Sequence, residues 1–121
     1  MDWKVLFCDE FESEFNAFSE AVQDELLRQL IALRRFGPLL KRPGVDTLKG
    51  SRYVNMKELR FKTSDGVWRV AFAFDPERRA VLLVGGNKAS ISERLFYRRL
   101  IEKADTRFDH HLVLLNSIGT G

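Results

Sequence analysis

Two alternating runs, residues 57–62 and 67–74, flank the tetrapeptide Thr63-Ser64-Asp65-Gly66. Alternation with a period of two marks strands with one buried face, and a short glycine-containing connection between them marks a hairpin. In the second run Trp68, Val70, Phe72 and Phe74 must share the core side, leaving Arg69, Ala71 and Ala73 opposite. In the first run Leu59 and Phe61 match that core side, so Glu58, Arg60 and Lys62 fall opposite, while Lys57 falls with Leu59 unless a bulge or the strand start redirects it. This places Arg60 and Arg69 on one open sheet face, beside alanines small enough to leave room for a ligand. Two readings fit such a floor. Each arginine can offer a bidentate fork to phosphate oxygens. Alternatively, Glu58 and nearby acids pair them into a salt-bridge lattice, worth at most about 1 kcal/mol per exposed pair.

The remaining chain supplies helices around this hairpin. Residues 3–8 are β-prone, and Asp9 with Glu12 has capping-box spacing. Phe11, Phe15, Phe18, Val22, Leu26, Leu30 and Leu33 then recur at helical steps, with Ser19 placed to cap a second helix and Gly37-Pro38 to stop it. Residues 38–55 read as a basic loop with room for a short strand. Residues 80–86 read as a buried strand, and Ser90 with Glu93 as the cap of a last helix carrying Leu95, Phe96, Leu100, Ile101, Ala104, Phe108, Leu112 and Leu115 on one face. The expected order is β-α-α-β-β-β-α, an α+β fold in one domain over residues 1–121, with a helical hairpin packed on an antiparallel sheet.

Size and composition set outer limits. At 121 residues, 45% hydrophobic and 31% charged, the chain can bury a core without staples. No apolar run approaches the roughly 20 residues of a membrane span, and the N-terminus lacks a signal-peptide layout. The single Cys8 forms no internal disulfide, and no Cys/His cluster has zinc spacing. The expectation is a cytoplasmic protein without metal, cofactor or membrane partner. Charge is uneven: residues 1–33 carry −6, residues 34–62 carry +7 and residues 63–121 carry +2. A basic middle segment suits a polyanion such as nucleic acid, or is simply a solvated basic surface.

The stretches "FGPLLKRPGVDTLKGSRYVNMKELRF", "WRVAFAFDPERRAVLLVGGNK" and "FYRRLIEKADTRFDHHL" resemble the RelE/HigB-type toxins of bacterial type II toxin–antitoxin systems, in their phage-derived HigB-like branch. The resemblance runs from about residue 3 to about residue 115. Its most specific pieces are "LKGS" (48–51), "KELR" (57–60), "WR" (68–69) and "GGNK" (85–88). It implies a RelE-like fold and a metal-independent mRNA endonuclease, in such toxins often ribosome-dependent. It also implies a helix-turn-helix antitoxin as partner, with operator DNA reached only through that antitoxin. The catalytic residues it implies are Arg60, Arg69 and Lys88, with Lys57 and Tyr97 beside them. Some relatives use histidines near the C-terminus, where His110 and His111 lie. Lys49, Arg52 and Lys62 are candidate RNA contacts; Lys41, Arg42, Lys49 and Arg52, in one basic loop, could hold the RNA backbone or ribosomal RNA, or instead meet an acidic face of the antitoxin. A ParE-like toxin that binds DNA gyrase and cleaves nothing is the alternative within the same fold, and a degenerate toxin that only binds its antitoxin is a third.

Cleavage of RNA by its own 2′-OH needs a proton acceptor, positive charge for the phosphorane and a donor for the departing 5′ oxygen. Arg60 and Arg69 suit the charge. A free lysine titrates near ~10.4, so Lys57 or Lys88 needs neighbouring cations to serve as base, and alternation favours Lys88. Gly85-Gly86 would admit close backbone approach to a ligand, and Tyr97 would stack on a base or orient the phosphate. On this reading Arg69→Ala abolishes toxicity and leaves folding intact.

Overall fold

The computed structural model describes residues 2–120. Its order is β1 (Lys4–Phe7), α1 (Asp9–Ala17), α2 (Glu20–Phe36), β2 (Val45–Thr47), β3 (Met56–Thr63), β4 (Gly66–Phe74), β5 (Arg79–Asn87) and α3 (Glu93–Thr120). Short 3-10 turns at Gly37–Leu39 and Lys88–Ser90 follow α2 and β5. The sheet runs β1-β5-β4-β3-β2. All neighbours are antiparallel except β1, which lies parallel to β5, so the sheet is mixed where an antiparallel one was expected.

Helix α2 forms as its sequence dictates. Ser19 Oγ accepts from Val22 N, Gly37 closes the helix at φ +52°, and Val22, Leu26, Leu30 and Leu33 turn into the core. The first cap differs from expectation: Asp9 is already helical, and Cys8 precedes it without a side-chain capping bond. At α3 the capping hydroxyl belongs to Ser92, whose Oγ accepts from Leu95 N, while Ser90 sits in the preceding 3-10 turn.

The larger departure concerns the sheet's second face. One face packs on α1 and α2 through Leu59, Phe61, Val70, Phe72, Ala80 and Leu82. The other is covered by α3, with Met56, Ala71, Ala73, Val81 and Leu83 against Phe96, Leu100, Ala104 and Phe108. Ala71 and Ala73 are fully buried, so their small side chains admit a helix rather than a ligand. A bulge in β5 contributes: Ala71 pairs with Val84 and Phe72 with Leu82, leaving Leu83 as an extra residue. Leu83 and Val84 therefore both join the α3 side. At the end of the sheet where α3 begins, residues 41–44 lead into β2 beside β3.

Candidate active site

Arg60 and Arg69 are direct cross-strand partners on β3 and β4, on the same face, as alternation required. Like charges placed directly opposite repel, and the fold answers by giving each its own acid. Arg69 is only 5% exposed. Its Nε donates to Tyr97 Oη at 3.2 Å, its Nη1 donates to Trp68 O at 2.9 Å, and Nε lies 3.6 Å from Glu58 Oε1. Tyr97 Oη in turn donates to Glu58 Oε1 at 2.8 Å. Burial pushes Glu58 above the ordinary carboxylate range, against the opposing hydrogen bond from Tyr97 and charge of Arg69. Burial also pushes Tyr97 up, and the Glu58 carboxylate adds to it. The three side chains, with Tyr97 half-buried over the buried Glu58 and Arg69, form one polar unit between β3, β4 and the second turn of α3.

Arg60 is more open, with its side chain 24% exposed and Nη1 at 3.5 Å from Asp46 Oδ2. Asp46 comes from β2, where it is the register partner of Glu58, and its Oδ2 also lies 3.8 Å from Arg42 Nη1. The loop carrying Arg42 is fastened to β3 by Arg60 N donating to Gly44 O at 2.8 Å. Arg42, Pro43, Arg60, Phe61, Lys62 and Arg69 thereby line a cavity of about 260 Å³. Four of these six are cations. Lys88 follows β5 in its 3-10 turn, with Nζ donating to Glu93 Oε1 at 2.9 Å and lying 5.9 Å from the Tyr97 ring centroid. That hydrogen bond from Lys88 holds the Glu93 carboxyl below its ordinary value.

Several expected residues lie elsewhere. Lys57 is on the α2 side of the sheet, where its Nζ donates to Thr47 Oγ1 at 3.2 Å, so the strand start does not redirect it toward the arginines. Arg52 is held by α3, with Nη2 at 2.5 Å from Asp109 Oδ2 and Nε at 3.6 Å from Asp105 Oδ2. Ser51 Oγ donates to Asp105 as well, so the "LKGS" segment docks a loop on α3, and Lys49 stands exposed in its turn. That anchorage is eight to twelve residues along α3 from Tyr97, about 12–18 Å. Lys62 does reach the cavity. Gly85 and Gly86 make room for the protein's own rings: a Cβ at Gly86 would meet Phe96 at 3.0 Å, and one at Gly85 would meet Phe11 at 3.3 Å. His111 is buried with Nε2 at 2.8 Å from Asp75 Oδ2, fourteen residues and so about 21 Å along α3 from Tyr97. His110 is exposed near Glu10.

Sequence reasoning did not give Asp46 a role at the site, and it offered Arg42 as a loop contact to RNA or antitoxin without placing it beside Arg60. A signal existed: Asp46 and Glu58 are the two acids among the nine cations of residues 34–62, and they prove to be register partners at the heart of the site.

Comparison with known proteins shows the family to which the chain belongs. A family model described as phage-derived protein Gp49-like matches residues 13–109. The chain belongs to the Gp49-like family. Within reach of this Gp49-like chain are two proteins of Mycobacterium tuberculosis that carry toxin names. HigB2 is 40% identical over 99 residues, which are 80% of this chain and 48% of HigB2, so the chain spans about half the length of that relative. HigB3 is 37% identical over 108 residues, covering 89% of this chain and 92% of HigB3. The fold matches a mutant of the E. coli toxin RelE in its free state, with TM-score 0.59 at 14% identity, over 85% of this chain and 97% of RelE. The RelE/HigB resemblance read from the Gp49-like sequence and its RelE-like α+β fold are thus both borne out.

Proposed function

We propose that this protein is the toxin of a type II toxin–antitoxin module, an endoribonuclease that cuts mRNA on the ribosome and is neutralised by a helix-turn-helix antitoxin. The observation that carries this reading is the convergence of Arg42, Arg60, Lys62 and Arg69 on one cavity of about 260 Å³ beside the Tyr97 hydroxyl. A phosphodiester in that cavity meets the Arg60 guanidinium, with the internally paired Arg69 adding its charge from the next strand, and that charge is worth most where it develops, on the phosphorane. The 2′ oxygen bonds to phosphorus, the bond to the 5′ oxygen breaks, and a 2′,3′-cyclic phosphate and a 5′-hydroxyl result. Glu58 is assigned as the proton acceptor, reached through the Tyr97 hydroxyl, which donates to it at 2.8 Å and accepts from Arg69. Lys88, which flanks the Tyr97 ring with its Glu93 counter-ion, is the donor assigned to the leaving 5′ oxygen.

Arg60 gives the cleaner test, because its partial exposure separates chemistry from folding. Arg60→Ala should slow cleavage by about 10²–10³-fold while its thermal transition stays close to wild type. Primer extension on a defined mRNA, with and without ribosomes, reads the cleavage, and unchanged cutting by Arg60→Ala would remove this arginine from the site. A second reading has its own support: Arg69 is almost wholly paired within the protein, as a purely structural arginine would be. That favours a ParE-like toxin that binds gyrase. Incorporation of labelled methionine and thymidine after induction separates the two, since a nuclease stops protein synthesis first.

A further inference from the structure

We propose that Asp46 is the internal counter-anion of the site, occupying the place of an RNA phosphate between Arg42 and Arg60, and that it sets the threshold a ligand must exceed to enter. The inference rests on the ribonuclease reading for its substrate, an RNA strand with consecutive phosphates. Asp46 Oδ2 faces two cavity-lining guanidiniums at once, at 3.8 Å from Arg42 and 3.5 Å from Arg60. Both separations exceed the about 2.7–2.9 Å of a charge-assisted hydrogen bond, so the carboxylate neutralises the pair without locking it. Its side chain is 32% exposed, and its bond from Thr47 N falls on Oδ1, so Oδ2 can give up the arginines without breaking that bond. The other acid of the site behaves differently: Glu58 is buried and bridged to Arg69 by Tyr97.

Displacement has a selective consequence. One phosphate replaces one carboxylate, an exchange of similar charges between the same two arginines. A strand whose neighbouring phosphates also reach Lys62 and Arg69 adds contacts that Asp46 never made. The carboxylate therefore discriminates against isolated anions and in favour of chains.

Asp46→Asn tests this with little risk to the fold. Asp46 Oδ1 accepts from Thr47 N at 2.8 Å, and an asparagine oxygen can keep that bond. Asp46→Ser provides a second, smaller acceptor should the amide disturb β2. The probes are inorganic pyrophosphate and a non-cleavable 2′-O-methyl RNA hexamer, titrated calorimetrically at fixed salt. Both variants should bind pyrophosphate at least tenfold more tightly, gain less for the hexamer, and cleave with lower KM. Unchanged pyrophosphate affinity in variants that still melt cooperatively would overturn the counter-anion role, even if wild type cuts RNA. A protein that cuts no RNA, yet whose Asp46→Asn form binds pyrophosphate more tightly, would retain the anion site and lose the nuclease.

Discussion

Arg69 shows how one residue can be placed correctly and still be misjudged. Alternation gave its face and its neighbour Arg60, both as observed. It gave no hint that Tyr97 would reach across from α3, because contacts between residues 28 positions apart leave no local pattern. Removing Arg69 leaves Glu58 buried without its cation, and losing one partner of a buried pair typically costs about 3–5 kcal/mol. Arg69→Ala should therefore lower stability by that order in urea unfolding, contrary to the folding-neutral variant expected from sequence. Adding Glu58→Gln to it should restore part of the loss, because the orphaned charge goes too. A double variant no more stable than the single one would show that Glu58 finds another partner. Loss of toxicity in Arg69→Ala alone consequently says little about chemistry.

At the scale of elements, local signals read well where a single residue type does the work. Ser19 caps α2 and Gly37 ends it, both as the sequence indicates. Gly37 is needed twice over: its φ is +52°, and a Cβ there would lie 2.4 Å from Trp3 Nε1. Gly37→Ala should destabilise by about 1–3 kcal/mol through strain and overpacking, visible as a lower urea midpoint at constant slope. An unchanged midpoint would mean both that Trp3 swings clear and that the backbone at residue 37 leaves its positive φ. The third helix was legible as amphipathic, yet its target was not. Ala71 and Ala73 fit both an open floor and a close-packed helix, and small side chains alone cannot separate the two. Only β1 beside β5 closes the sheet in parallel, a pairing of segments 75 residues apart that periodicity does not encode.

Across the whole molecule, α3 joins two charged centres. Its beginning supplies Tyr97 to the candidate site, and its later turns supply His111 to the buried Asp75. Burial pushes Asp75 up, but hydrogen bonds with His111 and from the backbone and side chain of Arg79 outweigh it and hold the carboxyl below its ordinary value. A carboxyl depressed in the folded state stabilises above its unfolded pKa of about 3.9. That contribution is lost as pH falls through the lower folded value. Asp75→Asn should lower stability at pH 7 and flatten the fall between about pH 4 and the acid transition. Melting curves across that range check it, and parallel pH profiles for variant and wild type would exclude Asp75 as the acid-sensitive group. The two-sided cover of the sheet also governs traffic. With helices above and below, whatever touches Arg69 arrives sideways, past the Arg42–Pro43 lip and the Lys62 rim. If the ribonuclease proposal holds, that sideways approach suits a single strand better than a duplex.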